Sequence, residues 1–502
     1  MALTVGTNSG ALMAQAAASS VNKSMEQSME RLSTGKRINS ASDDAAGVAI
    51  ASRLGSEIRG TNQAIRNAMD GQALIDTAEG AHSEVENILQ RMRELSVQAA
   101  NDTNSTLDRT YLQDEMVQLS AEIDRIASAT TWAGQNLLDG TFTNKQFQIG
   151  SGSATNHTLT TSLKSTSSSS LGAHTIESVA FANTAHASGA ATMTATDFDL
   201  MGPKGPKEIA FAANASAKTI STAVNEEASS TGVTATATTF VKLSAVSAAA
   251  ASTMSINGGG SLTAISFTLA ATSDLTAMKD AINAVAGATG VTAAFDGSSK
   301  AALILNEADG DNIAITNFNA GGTSTMTVQG MKADGATMSA TAADNITSGG
   351  TDSTIVTGSF SMTADAAFSL QDQESSGTDV SSLVGYFNTA STKSSTLSAV
   401  SAIDVGTTSG AKTAMDALDG ALRMVSAQRS DLGSVSNRLD STVSNLTNIS
   451  TNLAAGKGRI EDADFAAETT NLAKSQILQQ ASTAMLAQAN SSKQSVLSLL
   501  QG

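Results

Sequence analysis

Residues 78–129, "AEGAHSEVENILQRMRELSVQAANDTNSTLDRTYLQDEMVQLSAEIDRIASA", decide the fold class. Ala78, Ala81, Val85, Ile88, Met92, Leu95 and Ala99 recur in steps of three and four, as do Leu112, Met116, Leu119, Ile123 and Ile126. Such spacing places each set on one face of a helix, in the manner of a coiled-coil seam. Between the two sets, "NDTNSTLDR" (101–109) supplies Asn and Asp turn chemistry and a helix-start signal at Thr103 or Ser105. The two helices are therefore expected to fold back on each other.

A third seam lies far downstream: Leu418, Leu422, Val425, then Leu432, Val435, Leu439, Val443, Leu446, Ile449 and Leu453, nearly heptad with a break around Arg429. A seam of this length needs partners, and the amino-terminal helices can supply them. The first and last segments are expected to meet, with the middle of the chain inserted between them.

That middle is rich in Thr, Ser, Ala and Gly, poor in charge, and contains both Pro203 and Pro206. "AVNEEASSTGVTA" (223–235) and "AINAVAGATGVTA" (281–293) align without gaps, which marks two copies of one supersecondary unit. Each copy reads as a short helix ending at Gly232 or Gly290, followed by a β-branched strand. "ISFTL" (265–269) and "AALIL" (301–305) read as further strands, making the zone α+β or mostly β.

Composition narrows the function. Of 502 residues 41% are hydrophobic but only 3% aromatic, which suits helix seams and thin sheets better than one thick aromatic core. A net charge of −17 without clustered Lys and Arg argues against nucleic acid as partner. Cysteine is absent, which excludes disulfides, thiolate catalysis and Cys-ligated metals. No run approaches a membrane span. The opening "MALTVGTNSGALMAQAAASS" lacks the basic n-region and compact apolar h-region of a cleaved signal. The expectation is either a cytoplasmic protein or export by a route that reads no cleaved signal.

Catalytic and cofactor chemistry is not expected. His82, His157, His174 and His186 are scattered, HExxH and GxSxG do not occur, and "SINGGGSL" (255–262) has no lysine and following helix to make a phosphate loop. "DGDN" (309–312) and Asp462 with Asp464 lack the spacing of a calcium loop. A turn and a helix N-cap, at Asp462 or Asp464, account for them better. No catalytic, cofactor-binding or metal residue is assigned.

The termini carry the candidate site. Phe465, Leu472, Ile477, Leu478, Met485, Leu486, Val496, Leu497, Leu499 and Leu500 are the large apolar residues of segment 465–500. Their burial cannot offset the entropy of ordering the whole segment alone. Residues 1–35 are similar, with Val21, Met25, Met29 and Leu32 on one weak stripe. Pairing of the two termini within one subunit buries only one stripe of each helix. Neighbouring copies of the same chain are the economical partner for the remainder, coupling folding to assembly.

Several stretches closely resemble bacterial flagellin, the filament subunit: "RLSTGKRINSASDDAAGVAIASRL" (31–54), "RMRELSVQAANDT" (91–103), "WAGQNLLDG" (132–140) and "GRIEDADFAAETTNLAKSQILQQASTAMLAQAN" (458–490). The resemblance implies a helical coiled-coil core of paired termini with a β-rich or α+β outer insertion. Its domains would be 1–43 with 457–502 (inner), 44–175 with 396–456 (bundle with a β-hairpin), and 176–395 (outer, with repeats near 205–257 and 258–320). It implies an extracellular, self-assembling motility filament, exported unfolded by the flagellar type III apparatus. Partners would be a chaperone, the filament cap and the hook–filament junction proteins. The polymerisation interface would include Val21, Met25, Met29, Leu32, Phe465, Leu472, Ile477, Leu478, Met485, Val496, Leu497, Leu499 and Leu500.

Where flagellins often have "FNG", this chain has Trp132, Ala133 and Gly134, so the same hairpin turn is expected. The pattern by which vertebrate Toll-like receptor 5 recognises flagellins falls on Arg91, Leu95 and Glu115, although Leu95 also fits the seam. The density of Ser and Thr, as in "TSLKSTSSSS" (161–170), permits O-glycosylation or an ordinary polar surface. A hook–filament junction protein, or a flagellin whose outer region adds adhesion, are the alternatives.

Overall fold

The computed structural model describes residues 7–179, 182–183, 197–212, 215–297, 299–332, 335, 343–349, 353–371, 387 and 392–500. Its helices are α1 (Ser9–Thr34), α2 (Ala45–Ala99), α3 (Thr106–Ala129), α4 (Ala217–Glu226), α5 (Ala228–Thr231), α6 (Thr276–Ala284), α7 (Ala286–Thr289), α8 (Thr408–Glu461) and α9 (Phe465–Leu500). None of the described helices is long and apolar enough to cross a membrane. The chain divides into two compact units, residues 1–75, 144–161 and 434–502 in one, 76–143 and 162–433 in the other. This division cuts within α2 and α8. A continuous helix can exchange neighbours with no change in residue type, so composition does not mark this division.

In the second unit, the seam of residues 78–129 folds as its spacing requires. Ser105 starts α3 with a reciprocal cap: its Oγ accepts from the Asp108 amide at 3.2 Å, and the Asp108 carboxylate accepts from the Ser105 amide at 2.9 Å. Val85, Leu89, Met92, Leu95 and Ala99 of α2 bury against Met116 and Ile123 of α3 and Ala411, Ala414, Leu418, Ala421 and Val425 of α8. The break in the downstream seam is a polar bridge. The Arg429 guanidinium donates to Glu79 at 2.8 Å and also to Glu86, both on α2.

His82 lies one turn from this bridge, 1% exposed. Its Nδ1 has no hydrogen-bond partner. Burial lowers its pKa from 6.5 to about 4, aided by Arg429 and opposed by Glu79.

The middle of the chain builds two small α+β modules with antiparallel sheets. In the first, Ile220 and Val224 of α4 pack with Val233, Phe360, Met362, Phe198 and Ile209. In the second, Met278 and Ile282 of α6 pack with Val291, Leu303, Leu305, Met254 and Ile256. Strand Val233–Ser244 joins the sheets: its first half pairs antiparallel with Ser359–Ala364, and its second half lies between Ser299–Glu307 and Thr325–Met331. Strand Ala251–Gly258 pairs with Thr263–Thr268 on one side and Ile313–Asn319 on the other.

The repeated letters have a repeated physical role. Asn225 donates to the Ala235 carbonyl at 2.8 Å and accepts from the Ala235 amide at 2.8 Å. Asn283 does the same to Ala293, at 2.9 and 2.7 Å. Each asparagine thus replaces a strand neighbour for the following strand. Gly232 and Gly290 reverse the chain with φ +76° and +81°, left-handed values that suit glycine. The hydroxyls of Thr231 and Thr289 accept from the amides of Val233 and Val291 at 3.3 Å in both copies.

The expected hairpin pairs Thr131–Trp132 with Gln135–Asn136, and its central residues Ala133 and Gly134 have φ +49° and +80°. Positive φ at both positions is the requirement of a tight hairpin turn, and alanine meets it with a strained Cβ.

Ala133→Asn is expected to stabilise the second unit by about 0.5–1 kcal/mol, since asparagine tolerates left-handed backbone. A higher urea midpoint at unchanged slope would show it, and a lower midpoint would contradict it. His82 is neutral when folded and protonates below pH 6.5 when unfolded, so its contribution is present above 6.5 and is lost as pH falls towards 4. The loss reaches about 3 kcal/mol at most. His82→Gln should flatten that pH dependence in thermal unfolding, and an unchanged slope would contradict the assignment.

Candidate self-assembly surface

The first unit places the two terminal helices side by side, and polar groups fix their register. α1 ends at Gly35 with φ +70°. Its carbonyl accepts from the Ala463 amide at 3.0 Å, and the Arg37 amide donates to the Glu461 carbonyl at 2.7 Å. Lys36 Nζ lies 2.6 Å from the Glu461 carboxylate, which is thereby held below the usual carboxylate range. Asp464, not Asp462, caps α9, accepting from the Ala466 and Ala467 amides at 2.9 and 3.2 Å.

One turn into α9, the buried Glu468 accepts from Ser28 Oγ at 3.0 Å and from the Arg31 guanidinium at 2.9 Å. Burial pulls its pKa up, but the hydrogen bonds from Arg31, Ser28 and Asn471 outweigh this and leave it lowered. Further along, Gln479 donates to Asn22 at 2.9 Å, and Asn8 donates to the Ala489 carbonyl at 3.3 Å. Since Ser28 and Asn22 look to α9, so does the stripe containing Val21, Met25 and Leu32, spaced four and seven residues apart. On α9 the matching stripe runs through Glu468, Leu472 and the buried Ser475.

The thirteen expected interface residues therefore separate. Val21, Met25, Leu32 and Leu472 are half-buried and belong to the seam within the subunit. Met29, Phe465, Ile477, Leu478 and Met485 face outward; Phe465 is 69% exposed, Ile477 67% and Met485 63%. Val496, Leu497, Leu499 and Leu500 lie in the last turns of α9, and their side chains fall outside the described residues. Leu12 and Met13 join the outward set at 58% and 75% exposure. Sequence spacing passed over them because they sit in an Ala/Ser-rich background off the α1 stripe.

Of the receptor-pattern residues, the structure brings two together and buries the third. Arg91 Nη2 on α2 lies 2.9 Å from Glu115 Oε1 on α3, and Arg91 Nη1 lies 3.1 Å from Glu94. Leu95 is 1% exposed and packs in the bundle core, so it cannot itself form a surface contact. The seam position it occupies in the sequence anticipates this.

The "DGDN" stretch is a turn stapled across the two modules. Carboxylates of Glu307, Asp309 and Asp311 converge within 4.8 Å. The cation that meets them is Lys218 of α4, 2.8 Å from Asp311 and 3.2 Å from Asp309. Glu307 in turn accepts from the Asp311 amide at 2.6 Å.

Three family models match four parts of the chain. The bacterial flagellin N-terminal helical region matches residues 5–143, and the C-terminal helical region matches 415–500. The flagellin hook IN motif matches twice, at 196–249 and 253–309, both windows starting and ending upstream of the repeat limits expected from sequence. A B-type flagellin of Pseudomonas aeruginosa is 39% identical over 506 residues, covering 100% of both chains. Polar flagellin F of Vibrio parahaemolyticus is 33% identical over 501 residues, again covering 100% of both. Among solved structures, FliC of Burkholderia pseudomallei is similar at 18% identity and TM-score 0.28, covering 73% of this chain and 99% of that one.

Proposed function

The chain belongs to the bacterial flagellin family and is a structural subunit of the flagellar filament, and from that premise we propose how its surfaces serve assembly. The observation that carries the proposal is the set of exposed apolar side chains outside the α1–α9 seam: Met13, Met29, Phe465, Ile477, Leu478 and Met485. Two paired helices leave these side chains in water, and copies of the same chain provide what covers them. The last turns of α9, with Val496, Leu497, Leu499 and Leu500, extend the same interface.

In this reading residues 1–43 with 457–502 form the inner layer of the filament, 44–175 with 396–456 the layer around it, and 176–395 the outer surface. The subunit acts without catalysis, leaves the cell unfolded through the flagellar type III apparatus, and meets an export chaperone, the filament cap and the junction proteins on its route. Full-length identity to filament flagellins supports the filament role over a junction protein.

Host recognition by Toll-like receptor 5 is proposed for the α2–α3 surface around Arg91 and Glu115, with Leu95 positioning that surface from beneath. The exposed Arg91–Glu115 pair supports it. Arg91→Ala should weaken receptor signalling by free subunit in reporter cells, and wild-type subunit inert at high dose would refute the proposal.

Removal of residues 466–502 should abolish elongation of filament seeds while the second unit keeps its cooperative unfolding. In the full chain, Ile477→Asp should weaken elongation without altering that unfolding. Filaments formed by the truncated chain at the normal rate would overturn the assignment of α9.

A further inference from the structure

Eighteen methionines and no cysteine make the thioether the principal oxidisable side chain of this protein. Their burial is graded: Met25, Met201, Met415 and Met424 are half-buried, and Met69 on α2 is 52% exposed. Met92, Met116, Met278 and Met362 are at most 2% exposed within the second unit's cores. Met13, Met29 and Met485, by contrast, are 75%, 51% and 63% exposed, and all three stand on α1 or α9 outside the seam that joins those helices. Reactivity follows access, so the open sulfurs react first.

We propose that Met13, Met29 and Met485 are separate modification sites for hydroperoxides, each open in the free subunit and closed by assembly. The inference rests on the assembly role of the α1–α9 face. In the reaction a methionine sulfur donates an electron pair to the terminal peroxide oxygen, the O–O bond breaks, and a sulfoxide S–O bond forms. The thioether is oxidised and the hydroperoxide is reduced, leaving as an alcohol, or as water when it is hydrogen peroxide.

The product changes what the face can do. A thioether is flexible and apolar and adapts to an irregular surface; a sulfoxide is polar and chiral, and its oxygen needs a hydrogen-bond donor wherever it is buried. In the free subunit water supplies that donor. A neighbouring copy that presents Phe465, Ile477 and Leu478 does not, because those groups carry no donor at all. Oxidation therefore acts on subunits before they join and spares those already joined. The change is reversible by the two stereospecific methionine sulfoxide reductases.

The test treats full-length subunit and sheared filaments in parallel with hydrogen peroxide, maps sulfoxides by peptide mass spectrometry, and then measures seeded elongation. In the subunit, Met13, Met29 and Met485 should oxidise at least about tenfold faster than Met92 or Met278, and the same three should slow by a similar factor in filaments. Oxidised subunit should elongate seeds about tenfold more slowly or at a correspondingly higher critical concentration, with recovery after sulfoxide reductase treatment. A variant carrying Met13→Leu, Met29→Leu and Met485→Leu keeps apolar volume at the face and should elongate equally before and after peroxide.

Equal oxidation of the three sites in subunit and filament would overturn the proposal. So would unchanged elongation by oxidised wild-type subunit, or inhibition of the triple variant as strong as that of wild type. Untreated subunit that elongates seeds keeps the assembly reading in place, so these outcomes count against the methionine sites alone.

Discussion

Two helices lying side by side can bury only one stripe each, and that geometric limit governs the terminal segments of this chain. α1 and α9 spend their facing stripes on each other, around the buried Glu468 with Ser28 and Arg31. Their outer stripes keep Leu12, Met13, Phe465, Ile477 and Met485 exposed. A pair of this kind is marginal in water, because helix formation gains little without tertiary cover. In the function proposed above, assembly of further copies supplies the cover, so that folding of the termini and growth of the filament would be one process.

The second unit depends on no such completion. Among the described residues it holds cores of its own, one along α2, α3 and α8 and one in each α+β module. The modules repeat one local solution: a short helical turn stops at a left-handed glycine, and an asparagine on the helix just before that turn hydrogen-bonds both backbone groups of a residue in the next strand. Lys218 then ties the first module to the acidic turn of the second. The second unit thus has cores that do not draw on the terminal helices.

Much of this was legible in the sequence because periodicity and backbone requirements leave marks in single letters. The steps of three and four from Ala78 to Ile126 located the end of α2 and all but the first turn of α3, the motif at Gly232 and Gly290 located both modules, and "NDTNSTLDR" located the turn and its cap. What stayed hidden depends on partners distant in the chain. No spacing distinguishes Val21 and Leu472, which face the seam, from Met29 and Ile477, which face water, until the register of α1 against α9 is known. The break at Arg429 was visible, but not that Glu79 and Glu86 answer it. Leu95 carried two readings at once, and packing decides for the core.

Amide hydrogen exchange followed by mass spectrometry, on free subunit and on filaments of the same protein, bears most directly on the coupling of terminal folding to assembly. The account predicts that peptides from α1 and α9 exchange rapidly in the free subunit and gain strong protection in the filament, while peptides from the second unit's cores are protected in both. Equal, strong protection of α1 and α9 in the free subunit would contradict it, for the terminal helices would then be stable without their neighbours.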